Sequence, residues 1–416
     1  MPNAPDHCDL CGRPANEVKQ IFPVAQGKGI CNRCLQEVGS GSSDSGNTPQ
    51  GKKDRRDQPL PKPREIKAHL DDYVIGQERA KIETAVATYN HYKRRAALKK
   101  GVKEEVEIQK SNILLLGPSG TGKTHVFRAL AKKLGVPFYV ADASRLTQAG
   151  YVGDDVESML QGLMVAADND VSKAEWGIIL IDEIDKISRK SGRGATGYRD
   201  VSGEGVQQAL LKLIEGSRVQ VPRGNRMSNE TDTVDTTNIL FVCAGSFAGI
   251  EDLVLSRANK DKRLGFGAKD KVNLTQAEVY NGVTEDDILE FGMIPELVGR
   301  LPILTTTLPL TEEEMVRILT EPKDSLVKQF QASFAMDGVE LEFEEESLLE
   351  IGRTAKKRPT GARALRSLLE DILKTAAFEC PDGGIQKVRV VVENGEVKAI
   401  QERTQETQKV LTKAVG

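Results

Sequence analysis

Apolar residues in this chain of 416 residues gather in two patterns. Short unbroken runs bounded by turn residues, rich in β-branched and aromatic side chains, predict buried strands at 113–116, 136–141, 176–181 and 239–243. Between them the apolar positions recur at helical spacing. One such pattern begins at Ile66, is interrupted by Tyr73-Val74-Ile75-Gly76-Gln77 and resumes over 78–100; others cover 154–168 and 205–215. Strands and helices in alternation predict an α/β unit around a parallel sheet, because strands covered on both faces are apolar throughout.

Polar, Gly-rich or basic stretches at 188–202, 221–235 and 257–271 are expected to be loops. After a β run at 304–308, Thr311 with Glu314 forms a capping box that opens a second unit. Helices are predicted there over 312–335, 345–357 and 362–378, with a strand at 339–343 and a hairpin turning at Asn394-Gly395 between 388–392 and 397–400. That is a small α+β unit. The acidic cluster over 340–346 reads as solvated surface rather than as a metal site. Near the start, 39–51 has almost pure linker composition, and KKDRRDQPLPKP continues it with charge and proline. Its basic residues suit a solvated linker better than a nucleic-acid arm. The expected organisation is a small module at 1–38, a flexible linker at 39–63, a large domain at 64–308, a small lid domain at 309–402 and a tail at 403–416.

A net charge of −3 with 29% charged residues gives no bulk attraction for nucleic acid or anionic membrane. The start lacks a basic and then apolar leader, and no apolar run approaches the roughly 18 residues of a membrane span. A cytoplasmic protein is expected. Four of the six cysteines are paired as Cys8-x₂-Cys11 and Cys31-x₂-Cys34, with nineteen residues between the pairs. Two such knuckles can set four thiolates tetrahedrally around Zn²⁺ and leave no open position for chemistry. A module of this size cannot build an adequate core, and a structural zinc contributing about 10–16 kcal/mol can replace one. Its role is then binding. His7 beside Cys8 is a bystander, and Cys243 reads as a small buried hydrophobe.

The chemistry lies in two segments. Residues 111–124 read SNILLLGPSGTGKT: an apolar strand runs into Gly117-Pro118-Ser119-Gly120-Thr121-Gly122-Lys123-Thr124, with His125 beyond, which is the P-loop pattern in its strand-then-loop context. The glycines let backbone N–H groups converge on a phosphate, Lys123 would reach the β and γ phosphates, and Thr124 would hold Mg²⁺. Some sixty residues on, the strand at 176–181 ends in Asp182-Glu183. Asp182 suits the metal and Glu183 suits the base that orients or deprotonates the attacking water. ATP or GTP hydrolysis follows. Three other features stay open on their residues alone. Val74 and Ile75 can wall an adenine pocket or simply fill core. Gly150-Tyr151-Val152-Gly153 can be a local turn. Leu264-Gly265-Phe266 can contact a partner or tuck back onto the body.

In their joint order, the zinc knuckles, YVIGQ, GPSGTGKT, GYVG, IDEIDKI, DVSGEGVQQALLKLIEG, GRLP and TGARALR resemble the ClpX family, the AAA+ unfoldases of bacterial ATP-dependent proteases. The resemblance spans nearly the whole chain apart from linker and tail. It implies an α/β AAA+ P-loop ATPase with a parallel sheet, a small α+β lid domain and an N-terminal four-cysteine zinc-binding module, assembled as a homohexamer. It implies ATP, Mg²⁺ and Zn²⁺ as cofactors, unfolded or tagged proteins as substrates, adaptors bound through the zinc module and the ClpP peptidase as partner, with stand-alone chaperone activity besides. Neither nucleic acid nor membrane is an expected partner.

Residue by residue, the resemblance makes Arg300 an arginine finger acting on a neighbouring subunit and Arg363 a sensor linking nucleotide to the lid. Tyr151 and Val152 become a substrate-gripping pore loop, Val74 and Ile75 the adenine segment, and Leu264-Gly265-Phe266 the peptidase-docking tripeptide, more often Ile-Gly-Phe. The family's Arg-Lys-His entrance loop is replaced here by a shorter segment at 223–227, and no sensor-1 residue is assigned between 244 and 246. No nucleophilic triad is present, so cleavage is left to a partner. The rival reading is an AAA+ nucleic-acid remodeller or loader with the zinc module as reader; weak net charge, the aromatic pore loop and the Leu-Gly-Phe triplet count against it.

Overall fold

The computed structural model describes residues 21–24, 28–31, 59–99, 108–147, 154–189, 203–223, 230–263 and 274–403. The chain divides into two units, 1–58 and 59–416. In the first, Ile21–Val24 and Lys28–Cys31 pair antiparallel, with Ile21 opposite Cys31. Cys8, Cys11 and Cys34 lie outside the described residues.

The second unit is built on a five-stranded sheet. Its strands are β1 (Ile113–Leu116), β2 (Phe138–Asp142), β3 (Ile178–Asp182), β4 (Leu240–Gly245) and β5 (Ile303–Thr306). All pairings are parallel, in the order β5-β1-β4-β3-β2. Alternate residues face opposite sides of a strand. Ile113 and Leu115 therefore join Leu180 and Val242 in a core with the helices Pro63–Asp71, Glu78–Lys99 and Lys123–Leu134. Leu114 and Leu116 join Ile181 and Phe241 in a second core with the helices Ser158–Ala166 and Glu204–Glu215. Both faces are covered, which is why the strands read as unbroken apolar runs.

The remainder of the second unit has its own sheet. β6 (Glu340–Phe343) lies parallel to β7 (Ile385–Glu393), and β8 (Glu396–Arg403) lies antiparallel to it. The β7–β8 turn sits on Asn394 at φ +54° and Gly395 at φ +80°, the left-handed pair that a two-residue hairpin requires. In the acidic cluster, Lys387 pairs with Glu342 at 2.6 Å and Arg389 with Glu344 at 2.6 Å, on the surface.

Four expectations need correction. The 221–235 stretch is no loop: Arg218–Pro222 and Thr231–Asp235 form an antiparallel hairpin around 224–229, which lie outside the described residues. Val219, Val221 and Val234 bury its inner side, while the polar residues between them face out. The first part of 257–271 is helical, within Ile250–Arg263. The helix expected over 312–335 is two, Glu312–Thr320 and Leu326–Met336. Pro322 explains the break, since it has no N–H to donate and its ring clashes with the preceding turn. The break is tied down by Lys323, whose N–H donates to Asp72 O at 2.9 Å and whose ammonium pairs with the Asp72 carboxylate at 2.7 Å. The helix expected over 154–168 is Ser158–Ala166, preceded by a two-residue strand, Asp154–Asp155, paired with Leu146–Thr147.

Inside the helix Ile250–Arg263, Arg257 holds the buried Asp287 with Nε at 3.0 Å and Nη2 at 2.9 Å, and Nη2 also donates to Gly282 O at 2.6 Å. Burial alone would raise the Asp287 carboxyl; the Arg257 guanidinium and the Thr284 donors override it and hold it low. Among the described residues, Arg257→Ala leaves the buried carboxylate with Thr284 alone as partner. Breaking a fully buried pair costs about 3–5 kcal/mol, and because Arg257 is 35% exposed we expect about 2–3 kcal/mol here. Denaturant unfolding checks this; an unchanged midpoint would show the pair to be a surface ornament.

Candidate active site

The loop after β1 is shaped by what a side chain would strike. Gly117 has φ +144°, and a Cβ there would lie 2.2 Å from Thr307 Oγ1 and 2.4 Å from Thr307 O. Thr307 in turn donates its N–H to Leu116 O at 2.7 Å, so the end of β5 closes over the loop. Thr121 and Thr307 hydroxyls meet at 2.7 Å. Gly122, at φ +92°, caps the helix Lys123–Leu134, whose first N–H groups have no partner within the helix and face the cavity that phosphate would enter.

Lys123 is buried, and its ammonium donates to Gly117 O at 2.6 Å and Pro118 O at 2.8 Å. Burial lowers its pKa to about 8; Asp182 and Asp185 draw it back up, and Arg363 opposes them. Thr124 Oγ1 donates to Asp182 Oδ2 at 2.9 Å, and Asp182 Oδ1 accepts from Glu183 N at 3.0 Å. Glu183 sits at φ +58°, a left-handed conformation unusual for a non-glycine residue, at the carboxyl end of β3. Asp182 is thus held against Thr124, while the Glu183 side chain is exposed to the cavity.

The cavity measures about 820 Å³ and its wall comes from both sheets' surroundings. Val74 and Ile75, both nearly buried, form an apolar part. Gln77 clamps the adjoining strand end through Nε2 to Leu308 O at 2.9 Å and Leu308 N to Oε1 at 2.7 Å. His125 Nε2 lies 3.2 Å from Tyr73 O. The far wall carries Leu326, Gln329, Ala362, Arg363 and Arg366. Ala362 N donates to Gly120 O at 3.2 Å, and a Cβ on Gly120 would fall 2.2 Å from Thr360 O.

The structure therefore brings together Val74, Ile75, the loop from Ser119 to His125, Asp182, Glu183 and Arg363. Gly117 and Pro118 serve as acceptors for Lys123. Arg300 is elsewhere: it pairs with Glu215 at 2.8 Å, and its carbonyl accepts from Asn112 Nδ2 at 3.1 Å at the amino-terminal end of β1. Tyr151, Val152, Leu264, Gly265 and Phe266 lie outside the described residues. Sequence reading missed Ser246, whose N–H and Oγ both donate to the buried Asp185 carboxylate at 3.1 Å and which lines the cavity. It also missed Arg366, one helical turn beyond Arg363 and on the same side, a spacing that could have exposed it. Among the described residues no group of three or more His, Cys, Asp or Glu could hold a metal ion.

Residues 108–304 match the AAA domain (Cdc48 subfamily), and 310–392 match the C-terminal, D2-small domain, of ClpB protein. The ATP-dependent Clp protease ATP-binding subunit ClpX of Treponema denticola is 47% identical over 381 residues, 90% of each chain. The ATP-dependent Clp protease ATP-binding subunit ClpX 2 of Wolinella succinogenes is 46% identical over 377 residues, 90% of this chain and 91% of its own. The chain belongs to the ClpX family. It is an AAA+ ATPase. The family resemblance read from the order of the motifs is borne out, as are the α/β core and the lid. In this ClpX-family chain the cavity has the volume of a small-molecule site, roughly 300–1,000 Å³, and joins an apolar wall to both cations and carboxylates, which fits a nucleotide with Mg²⁺.

Lys123 gives the site a pH dependence. If Lys123 meets phosphate, as the P-loop pattern implies, its ammonium must be charged, and in the nucleotide-free protein that charge is lost as pH rises through about 8. ATP affinity is expected to fall above that pH by up to about tenfold per unit, with proton uptake on binding. Titration calorimetry from pH 7 to 9.5 in buffers of different ionisation heat reads both; a flat affinity contradicts the assignment.

Proposed function

We propose that this protein is the ATP-driven unfoldase of a two-component protease, and that it also works alone as a chaperone. It hydrolyses ATP, unfolds tagged or partly unfolded proteins, and feeds them to a separate ClpP-type peptidase. Both relatives carry the names of Clp protease ATP-binding subunits. The observation that carries the reading is the cavity's double wall. Lys123, Thr124, Asp182 and Glu183 stand on the large α/β part, whereas Arg363 and Arg366 stand on the lid. Anything bound between them sets the relation of the two parts, and hydrolysis must change it.

The residues divide the work. Lys123 leaves its two carbonyl partners to meet phosphate oxygens. Glu183 accepts the proton of the attacking water or orients it, its direction fixed by the left-handed backbone and by Asp182 Oδ1 on its N–H. Thr124 and Asp182 would hold Mg²⁺, which neutralises charge on the phosphates. Val74 and Ile75 contact the base, with the P-loop from Gly117 to His125 around the phosphates. Arg363 reports the nucleotide to the lid. Arg300, remote from its own cavity, acts on the nucleotide of the next subunit in a homohexamer.

The rest of the proposal rests on the resemblance in sequence. Residues 64–308 form the large domain, 309–402 the lid, 39–63 a linker and 403–416 a tail. Cys8, Cys11, Cys31 and Cys34 bind a structural zinc in the 1–38 module, through which adaptors dock. Tyr151 and Val152 grip substrate, and Leu264-Gly265-Phe266 docks on the peptidase. No helix among the described residues is long and apolar enough to cross a membrane, and a bacterial cytoplasmic setting agrees with that.

Glu183→Gln is expected to lower ATP turnover by at least about 10²-fold while ATP binding survives; turnover at the parental rate removes Glu183 from the chemistry. With a stable tagged protein as substrate, degradation is expected only when ATP, this protein and ClpP are all present. Phe266→Ala should abolish that degradation and spare ATP hydrolysis and unfolding. Degradation that persists in the variant would place the docking contact elsewhere.

A further inference from the structure

Arg300 does not stand alone at its edge of the sheet. Its Nε donates to Glu215 Oε1 at 2.9 Å and its Nη2 lies 2.8 Å from the same oxygen. Among the described residues Glu215 is the acceptor that its guanidinium has. Both members of the pair are half-exposed, yet each is fixed through its backbone. Glu215 ends the helix Glu204–Glu215, and that end is bolted down from two sides. Lys110 Nζ donates to Ile214 O at 3.0 Å and Thr236 O at 2.8 Å, and Thr236 Oγ1 donates to Leu213 O at 2.8 Å. Ile214 is fully buried beneath it. On the other side, Asn112 Nδ2 donates to Arg300 O at 3.1 Å, while Asn112 Oδ1 accepts from Phe241 N at 3.2 Å on β4.

A long arginine side chain that must act outside its own subunit loses rotamer freedom when it does so. Glu215 takes up one edge of the guanidinium, Nε and Nη2, with a single carboxylate oxygen. That leaves the other edge, with Nη1, turned away from the pair. We propose that Glu215 is the positioning residue of the arginine finger: a fixed carboxylate that orients Arg300 before the neighbouring subunit's nucleotide arrives. This rests on the reading of Arg300 as a trans-acting group. Arg94 and Lys110 line the same cleft of about 540 Å³ and donate to backbone and amide oxygens, and among the described lining residues Glu215 is the carboxylate, paired with Arg300.

The test uses full-length assembled protein and a double-mutant cycle of Glu215→Ala, Arg300→Ala and the pair. Glu215→Ala is expected to lower kcat about tenfold, less than the ~10²-fold that a full misplacement can cause, with ATP affinity, ring size and Tm at parental values. Glu215→Gln should recover most of the loss, since an amide oxygen still accepts from Nε and Nη2. In single turnover, the double variant should be no slower than Arg300→Ala. A Glu215→Ala protein as fast as or faster than the parent makes Glu215 idle or a brake and overturns the proposal. So does a full additional loss on top of Arg300→Ala, or a loss of kcat matched by lost Tm or assembly. If Arg300→Ala itself turns over at the parental rate, the finger reading falls first and this inference with it.

Discussion

The site depends on a contact between two stretches of backbone. Gly120 in the P-loop and Gly361 before the lid helix Arg363–Glu379 approach so closely that a Cβ on Gly361 would lie 2.7 Å from Ser119 O. Both residues have positive φ, +76° and +59°, which glycine adopts without strain. With that contact, the Ala362 N–H can reach Gly120 O, and Arg363 begins its helix at the rim of the phosphate cradle. The cavity then has a wall on each side.

On the large-domain side the requirement is different, since charged groups are collected in a poorly solvated place. Lys123 is kept by two carbonyls, Asp182 by a hydroxyl and an N–H, and Asp185 by both donors of Ser246 with Lys186 at 3.6 Å. Each group thus has a partner that can be exchanged rather than an unsatisfied polarity that must be tolerated. Asp185 has a further effect. It fixes the end of β4 to the turn after β3, and Gly245 must be glycine there, because a Cβ would meet Asp185 Oδ1 at 2.6 Å. The backbone that holds Glu183 at φ +58° is stabilised from the next strand over.

What was legible in sequence follows from these constraints. β1, β3 and β4 could be read because burial on both faces leaves no polar position inside them, and the P-loop because its glycines are required by close backbone approach. The hairpin at 218–235 could not, since one covered face leaves only Val219, Val221 and Val234 as its signal among charged residues. The helix Ile250–Arg263 was half hidden for the same reason: its later turns are basic and polar, and Arg257 is placed by tertiary contacts to Gly282 and to Asp287, thirty residues away. Pro322 carries the signal for the break between the two lid helices, and the expectation of one helix over 312–335 passed over it. Ser246 belongs to the site through tertiary contact alone, and no local pattern singles it out. Arg366 carries a weak signal, its spacing from Arg363, which means nothing until the lid is known to face the P-loop.

One helix connects the two halves of the chemistry. At its start Arg189 pairs with Glu204 at 2.7 Å, and Gln207, fully buried, donates to Ile187 O at 2.7 Å and accepts from Ile294 N at 2.8 Å. Ile187 closes the short 3₁₀ turn Ile184–Ile187 that follows Glu183. At its other end, about 18 Å away for 12 residues, stands Glu215 against Arg300. The helix is thus tied at one end by a buried amide hub and at the other by a fixed carboxyl end. If Arg300 acts on a neighbouring subunit as proposed, this one element would link the turn behind Glu183 to the cation offered to the next site.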